Sequence, residues 1–101
     1  MKIYVAGPYT QGDPILNVRA AIEAADAIIN AGHTPYVPHL SMLWHLVSPR
    51  PVDFWYGYDL LWLETCDAVL RLPGASVGAD GEVKEAVRLG LPVYLDVKEL
   101  P

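Results

Sequence analysis

Apolar residues along the chain fall into short β-branched runs and longer stretches with helical spacing, and their order outlines a fold. Lys2 to Ala6 is a β-branched and aromatic run that stops at Gly7-Pro8, the pattern of a buried strand opening into a sharp turn. Asp13-Pro14 reads as the cap and first residue of a helix whose apolar positions, Ile15, Val18, Ile22, Ala25 and Ile29, recur at helical spacing until Gly32. Thr34 to Val37 is a second strand stopped by Pro38, and part of Ser41 to Val47 is expected to be helical. Asp53 is placed to cap a helix from Phe54 to about Thr65, so apolar that it should be covered on most sides. Ala68 to Leu72, entered through Asp67, is a third strand; Glu82 to Leu89 is a helix closed by Gly90; Pro92 to Leu95 is a fourth strand. This alternation predicts a single α/β domain over residues 1–101, a small doubly wound, open parallel sheet of about four strands with helices on both faces. Such a fold is of the Rossmann or flavodoxin type.

Open parallel sheets bind ligands beyond the carboxyl ends of their strands, where the strand order changes direction. Three loops of the chain should meet there: Gly7-Pro8-Tyr9 after the first strand, Pro38-His39 after the second, and Ser76 to Glu82 after the third. The third carries the most chemistry. In Ser76-Val77-Gly78-Ala79-Asp80-Gly81-Glu82 a glycine-bearing turn delivers a carboxylate onto the first turn of a helix, where free N–H groups and the positive dipole end face a ligand. Glu82 is therefore expected to stay ionised at neutral pH and to serve as nucleophile or base. Val83, Ala86, Val87 and Gly90 should form the buried face of the helix, with Glu82 at its crevice edge and Glu85 on the wetter side beside Lys84 and Arg88. The plainer alternative is a polar loop with Asp80 as a helix cap.

Asp59 lies within Phe54-Trp55-Tyr56-Gly57-Tyr58-Asp59-Leu60-Leu61-Trp62-Leu63, where a solvated carboxylate is hard to place. Buried among aromatics it would have a raised pKa and could act as general acid or bond a hydroxylated substrate; otherwise it is a partly exposed side chain on a neighbouring amide. His39 could donate to a phosphate or a base, although a lone His in a Pro-flanked loop is more often structural. His33, just after Gly32, reads as complementing a helix C-terminus. His45 carries no signal, and Asp67 suits a turn. Tyr4, Trp55 and Trp62 are core or interface residues first.

Composition removes several classes. A net charge of −5 with seven Lys and Arg scattered along the chain offers no basic stripe for a nucleic-acid polymer. Neither G-x-G-x-x-G nor G-K-[ST] is present, and Val5-Ala6-Gly7 stands where a phospho-receiver would carry an Asp. No apolar run approaches membrane-spanning length, and the lone Cys66 lies in an apolar stretch, so a cytoplasmic protein with no membrane partner is expected. No ligand set at metal spacing occurs, and neither metal nor other cofactor is expected. Three Trp and six Tyr exceed what one small core buries, which points to a pocket or to a subunit contact in a homo-oligomer.

Taken together, Ile3-Tyr4-Val5-Ala6-Gly7-Pro8, Asp59 followed by Asp67, and Ser76-x-Gly78 with Glu82 resemble the opening strand, helix and pre-strand Asp residues, and nucleophile motif of the nucleoside 2-deoxyribosyltransferase-like superfamily, over nearly the whole chain. The resemblance implies that Glu82 attacks the anomeric carbon of a nucleoside or nucleoside monophosphate. It further implies that Asp59 assists the base or holds the sugar, that Tyr4 contacts the nucleophile or sugar, and that Ser76 contributes to phosphate binding. The chain departs from that pattern in carrying Asp80 before the Glu and Pro8-Tyr9-Thr10-Gln11 in place of a Ser and Arg pair. The implied activity is N-glycosidase or deoxyribosyltransferase, with Gly7, Pro8, Tyr9, His39, Ser76, Gly78 and Asp80 around the substrate. Two other readings stay open: a non-catalytic nucleotide-binding module using the same crevice, and an oligomeric structural protein built on the aromatic helix.

Overall fold

In the computed structural model, which describes residues 1–101, β1 (Lys2–Ala6) lies between β2 (Thr34–Tyr36) and β3 (Ala68–Arg71), and β4 (Val93–Tyr94) extends the far edge. The order is β2-β1-β3-β4 and every pair is parallel, so the chain moves to one side of β1 and then to the other. β1 is central because Ile3, Tyr4, Val5 and Ala6 are all fully buried, and strand alternation gives each face two of them. Ile3 and Val5 pack with Ala21 and Ile28 of α1 (Pro14–Asn30). Tyr4 and Ala6 pack on the opposite face with Leu63 of α3 (Val52–Leu63) and with Ala79 and Ala86 of α4 (Val77–Arg88). A short α2 (Ser41–Val47) precedes α3. The result is the doubly wound α/β sheet with helices on both faces that the pattern predicts, and its switch point lies between β1 and β3.

The start of α1 is fixed by Asp13, whose Oδ1 accepts from Ile15 N at 2.9 Å, with Pro14 at the first helical position. Its end needs Gly32, which sits at φ +90°. The buried stripe is rotated from the expected one: Ala21, Ala25 and Ile28 face the sheet, while Ile15, Ile22 and Ile29 are exposed. His33 is not a helix-dipole partner. Its Nδ1 meets the Met1 amine at 3.0 Å and its Nε2 the Pro101 carbonyl at 2.8 Å.

Two helices begin elsewhere than expected. α3 starts at Val52 after Pro51, with Asp53 inside its first turn and making no cap bond. It is also less covered than its composition suggests, since Phe54, Leu61 and Trp62 remain exposed. α4 starts at Val77, five residues before Glu82, because Ser76 is the cap: its Oγ accepts from Ala79 N at 3.0 Å. Gly78, Asp80 and Gly81 are thus helical, and Asp80 is not the cap. No helix is long and apolar enough to cross a membrane.

Candidate active site

A cavity of about 560 Å³ opens beyond the carboxyl ends of β1 and β2, between α2, α3 and α4. β1 contributes Gly7 and the following loop Tyr9, Thr10 and Gln11; the turn after β2 contributes His39; α3 contributes Trp55, Tyr56 and Asp59; α4 contributes Ser76, Gly78 and Glu82. Ser41, Met42 and His45 close the side nearest α2. Trp55 reaches this wall because its Nε1 donates to His45 Nδ1 at 2.8 Å.

Two buried carboxyls define its chemistry. Glu82 accepts from the Tyr4 hydroxyl, which rises from the sheet beneath it. Asp59 Oδ1 accepts from the Tyr36 hydroxyl at 3.1 Å. The two phenols belong to directly paired residues of β1 and β2, and their rings stack at 5.6 Å between centroids and 27° between planes. Trp62 stacks in turn on Tyr36 at 5.6 Å. The sheet therefore presents two hydroxyls side by side, and two helices each lower a carboxyl onto one of them.

Burial is the main electrostatic influence on both acids. It raises Asp59 to about 6 against the bond from Tyr36, which favours the anion. Burial raises Glu82 to about 7, with the Tyr4 bond opposing and the Asp59 charge reinforcing. Asp59 is thus the first to ionise, and its charge resists ionisation of Glu82. This corrects the expectation that Glu82 is held ionised at neutral pH by a helix N-terminus. It is the sixth residue of α4, in the second turn, where the dipole has faded and desolvation prevails. Burial also raises Tyr4 and Tyr36 far above the ordinary phenol range, so both remain donors.

His39 is 95% buried, its relative exposure being 5%. Its Nε2 lies 2.9 Å from the Pro8 carbonyl; since a carbonyl only accepts, that nitrogen carries the proton, and Nδ1, which has no partner in the chain, is an acceptor. Burial lowers its pKa, so the ring is neutral at pH 7. Tyr9 meets it edge-on at 5.9 Å.

Most of the residues singled out in the sequence converge here. Tyr4, Asp59 and Glu82 form the buried centre, and Gly7, Tyr9, His39, Ser76 and Gly78 line the cavity. Pro8 takes part through its carbonyl and does not line the cavity. Asp80 turns away from it: its Oδ1 pairs with Arg71 at 3.0 Å on an exposed surface, because one residue in a helix swings a side chain by about 100°. Arg71 is also held by the carbonyls of Leu72 and Gly74. Glu85 is on the outer side, paired with Arg88, while Val87, expected to be buried, is exposed. Tyr36, Tyr56 and His45 also belong to this site, and no motif in the sequence points to them. Tyr36 had one available signal, its place opposite Tyr4 on the neighbouring strand; Tyr56 had its separation of three residues from Asp59 on one helix.

The parallel sheet that carries this Tyr–Glu and Tyr–Asp centre at its switch point has a counterpart in fold among solved structures. A solved structure of a 2-deoxyribosyltransferase from the psychrotolerant bacterium Bacillus psychrosaccharolyticus, described as a biocatalyst for nucleoside synthesis, matches it with a TM-score of 0.70 at 21% identity, over 92% of this chain and 69% of that one. No curated protein matches the sequence. The family model for a domain of unknown function, DUF7768, matches residues 1–96, and the chain belongs to that family.

Proposed function

We propose that the protein cleaves the N-glycosidic bond of a nucleoside or nucleoside monophosphate, by hydrolysis or by transfer to a second base, through a glycosyl-enzyme on Glu82. The observation that carries this reading is the buried carboxyl pair, each member fixed by a phenol and facing one cavity. The fold shared with a 2-deoxyribosyltransferase supports it.

Between about pH 6 and 7 the two acids hold roughly one proton between them. The form suited to reaction has Glu82 bare and the proton on Asp59. Glu82 Oε attacks C1′ as the bond to the base breaks, through an oxocarbenium-like transition state, and Asp59 gives its proton to the departing base nitrogen. Tyr4 O–H holds the attacking carboxylate in place. Water or a second base then attacks C1′ from the face the first base left, transferring a proton to Asp59, and Glu82 departs as carboxylate; the two displacements give net retention. Asp59 has the lower pKa of the pair, so this tautomer is the minor one in the empty site by about tenfold. A base in place favours it by accepting a hydrogen bond from protonated Asp59.

Incubating the protein with a panel of ribo- and deoxyribonucleosides and their 5′-monophosphates, and separating free base by chromatography, tests the reading. Base release abolished in Glu82→Gln is the expected result. Ligand-induced thermal stabilisation without base release assigns the protein to the binding class instead. The reading places the enzyme in the cytoplasm, in keeping with the free Cys66. It also includes a homo-oligomer, for which the exposed Leu43, Trp44 and Leu46 of α2 and Leu61 and Trp62 of α3 supply the apolar surface.

A further inference from the structure

Three helical glycines lie in or beside the cavity helices, and only one of them has a side chain pressed against it. At Gly57 and Gly78 an added Cβ would enter open space. At Gly81 it would overlap the hydroxyl oxygen of Tyr56, while the next atom, Tyr56 Cζ, would remain at an ordinary 3.4 Å. The missing Cβ therefore admits one atom, the phenol oxygen of Tyr56, onto the α4 backbone immediately before Glu82.

Nothing in the chain uses that oxygen. The Tyr4 and Tyr36 hydroxyls are bound to Glu82 and Asp59, whereas Tyr56, half-buried on the cavity wall, has no hydrogen-bond partner. Burial, with the charges of Glu82 and Glu85 adding to it, opposes ionisation of its phenol, so the group stays a donor. Tyr56 also precedes Asp59 by three residues, which puts both on the same side of α3. A free donor on the wall of the cavity that Glu82 also lines is open to whatever occupies that cavity.

We propose that the Tyr56 hydroxyl is a substrate contact, donating a hydrogen bond to an oxygen of the pentose, and that Gly81 is the positioning residue that admits it. This rests on the glycosyl-transfer reading of Glu82. The oxygen is either the C2′ hydroxyl, next to the attacked carbon, or another oxygen of the ring, and paired ribo- and deoxyribo-substrates separate the two.

The test uses Tyr56→Phe, Gly81→Ala and the double variant in the full chain. Tyr56→Phe is expected to lower kcat/KM for nucleosides by roughly tenfold with little change in Tm, as for a lost neutral hydrogen bond. A loss confined to ribonucleosides assigns the contact to O2′; an equal loss on both series assigns it to another pentose oxygen. Gly81→Ala pushes the phenol aside and is expected to lose a similar factor. In the double variant the clash is gone and alanine favours the helix, so Tm rises above that of Gly81→Ala while activity stays at the Tyr56→Phe level. A purely packing role predicts instead that activity returns together with Tm, and that result overturns the proposal, as does full activity in Tyr56→Phe. Calorimetric binding of the same nucleosides to Glu82→Gln, with and without Tyr56→Phe, separates this from the catalytic reading. If the parent protein cleaves nothing, binding weakened by Tyr56→Phe still upholds the contact, while unchanged or absent binding overturns it.

Discussion

Glu82→Gln is expected to move activity and stability in opposite directions. An amide cannot form the glycosyl ester, so turnover falls at least about a hundredfold. Stability responds to burial. Glu82 is 8% exposed, and its carboxyl titrates at about 7 against 4.5 ordinarily. Between those values the folded protein binds a proton that the unfolded chain has released, so this group's contribution to stability falls as pH rises through that window and remains low above it. A displacement from 4.5 to about 7 corresponds to roughly 3 kcal/mol at 1.36 kcal/mol per pH unit, an upper figure. Glutamine keeps an oxygen to accept from Tyr4 and carries no charge to desolvate. At about pH 8.5 the variant should therefore be more stable than the parent by about 1 to 3 kcal/mol, and at about pH 4 the two should be alike. For a domain of this size 1 kcal/mol shifts Tm by roughly 4 to 8 °C. Urea or thermal unfolding at both pH values measures it. A variant less stable than the parent at pH 8.5, or one offset equally at both, would mean that Glu82 is not desolvated in the folded protein.

Tyr4→Phe removes the donor that favours the Glu82 anion; because the reacting form has the higher-pKa group bare and the lower-pKa group protonated, the alkaline limb of kcat/KM should move up by about one pH unit or more while the acid limb stays, with a loss of roughly fivefold or more at pH 7. Asp59→Asn should depress turnover more than stability and erase the limb set by Asp59, so an unchanged pH profile excludes the proton-donor role. Glu85→Gln, which breaks only an exposed pair with Arg88, should be nearly silent in the same assays. A 2′-fluoro-arabino nucleoside should leave a glycosyl adduct on the peptide containing Glu82, detected by mass spectrometry; base release with no adduct indicates direct attack by water. Light scattering should give a mass above that of one 11.1 kDa chain at micromolar concentration, and a monomeric mass excludes the apolar helix faces as a self-association surface.

Much of the architecture is written locally. β1 is legible because its burial on both faces makes it continuously apolar, and α1 because Asp13-Pro14 and Gly32 bracket a periodic run. The start of α4 is not, because two glycines and an Asp mimic a loop while the Ser76 cap and the packing of Ala79 make the segment helical. Asp59 was recognisable from the aromatic company of its own helix. Tyr36 and Tyr56 were not, since their importance comes from partners far along the chain: the register of β1 with β2 for one, the approach of α3 to Gly81 for the other. The raised pKa of Glu82 is hidden for the same reason, a helix terminus being visible in sequence and a desolvating neighbourhood not.

The bond between Tyr4 and Glu82 ties the history of the core to that of the chemistry. Tyr4 is the largest fully buried side chain, and its hydroxyl has the carboxylate as partner. A descendant that drifts to an apolar residue at position 82 strands that hydroxyl in a dry interior, an unfavourable state relieved when position 4 becomes Phe. Family members should therefore sort into two groups, Tyr with Glu or Phe with a non-acidic residue, and the mixed combinations should be rare. Under the proposed function, the pair then serves as a marker, readable in any sequenced relative, of where glycosyl transfer would be lost.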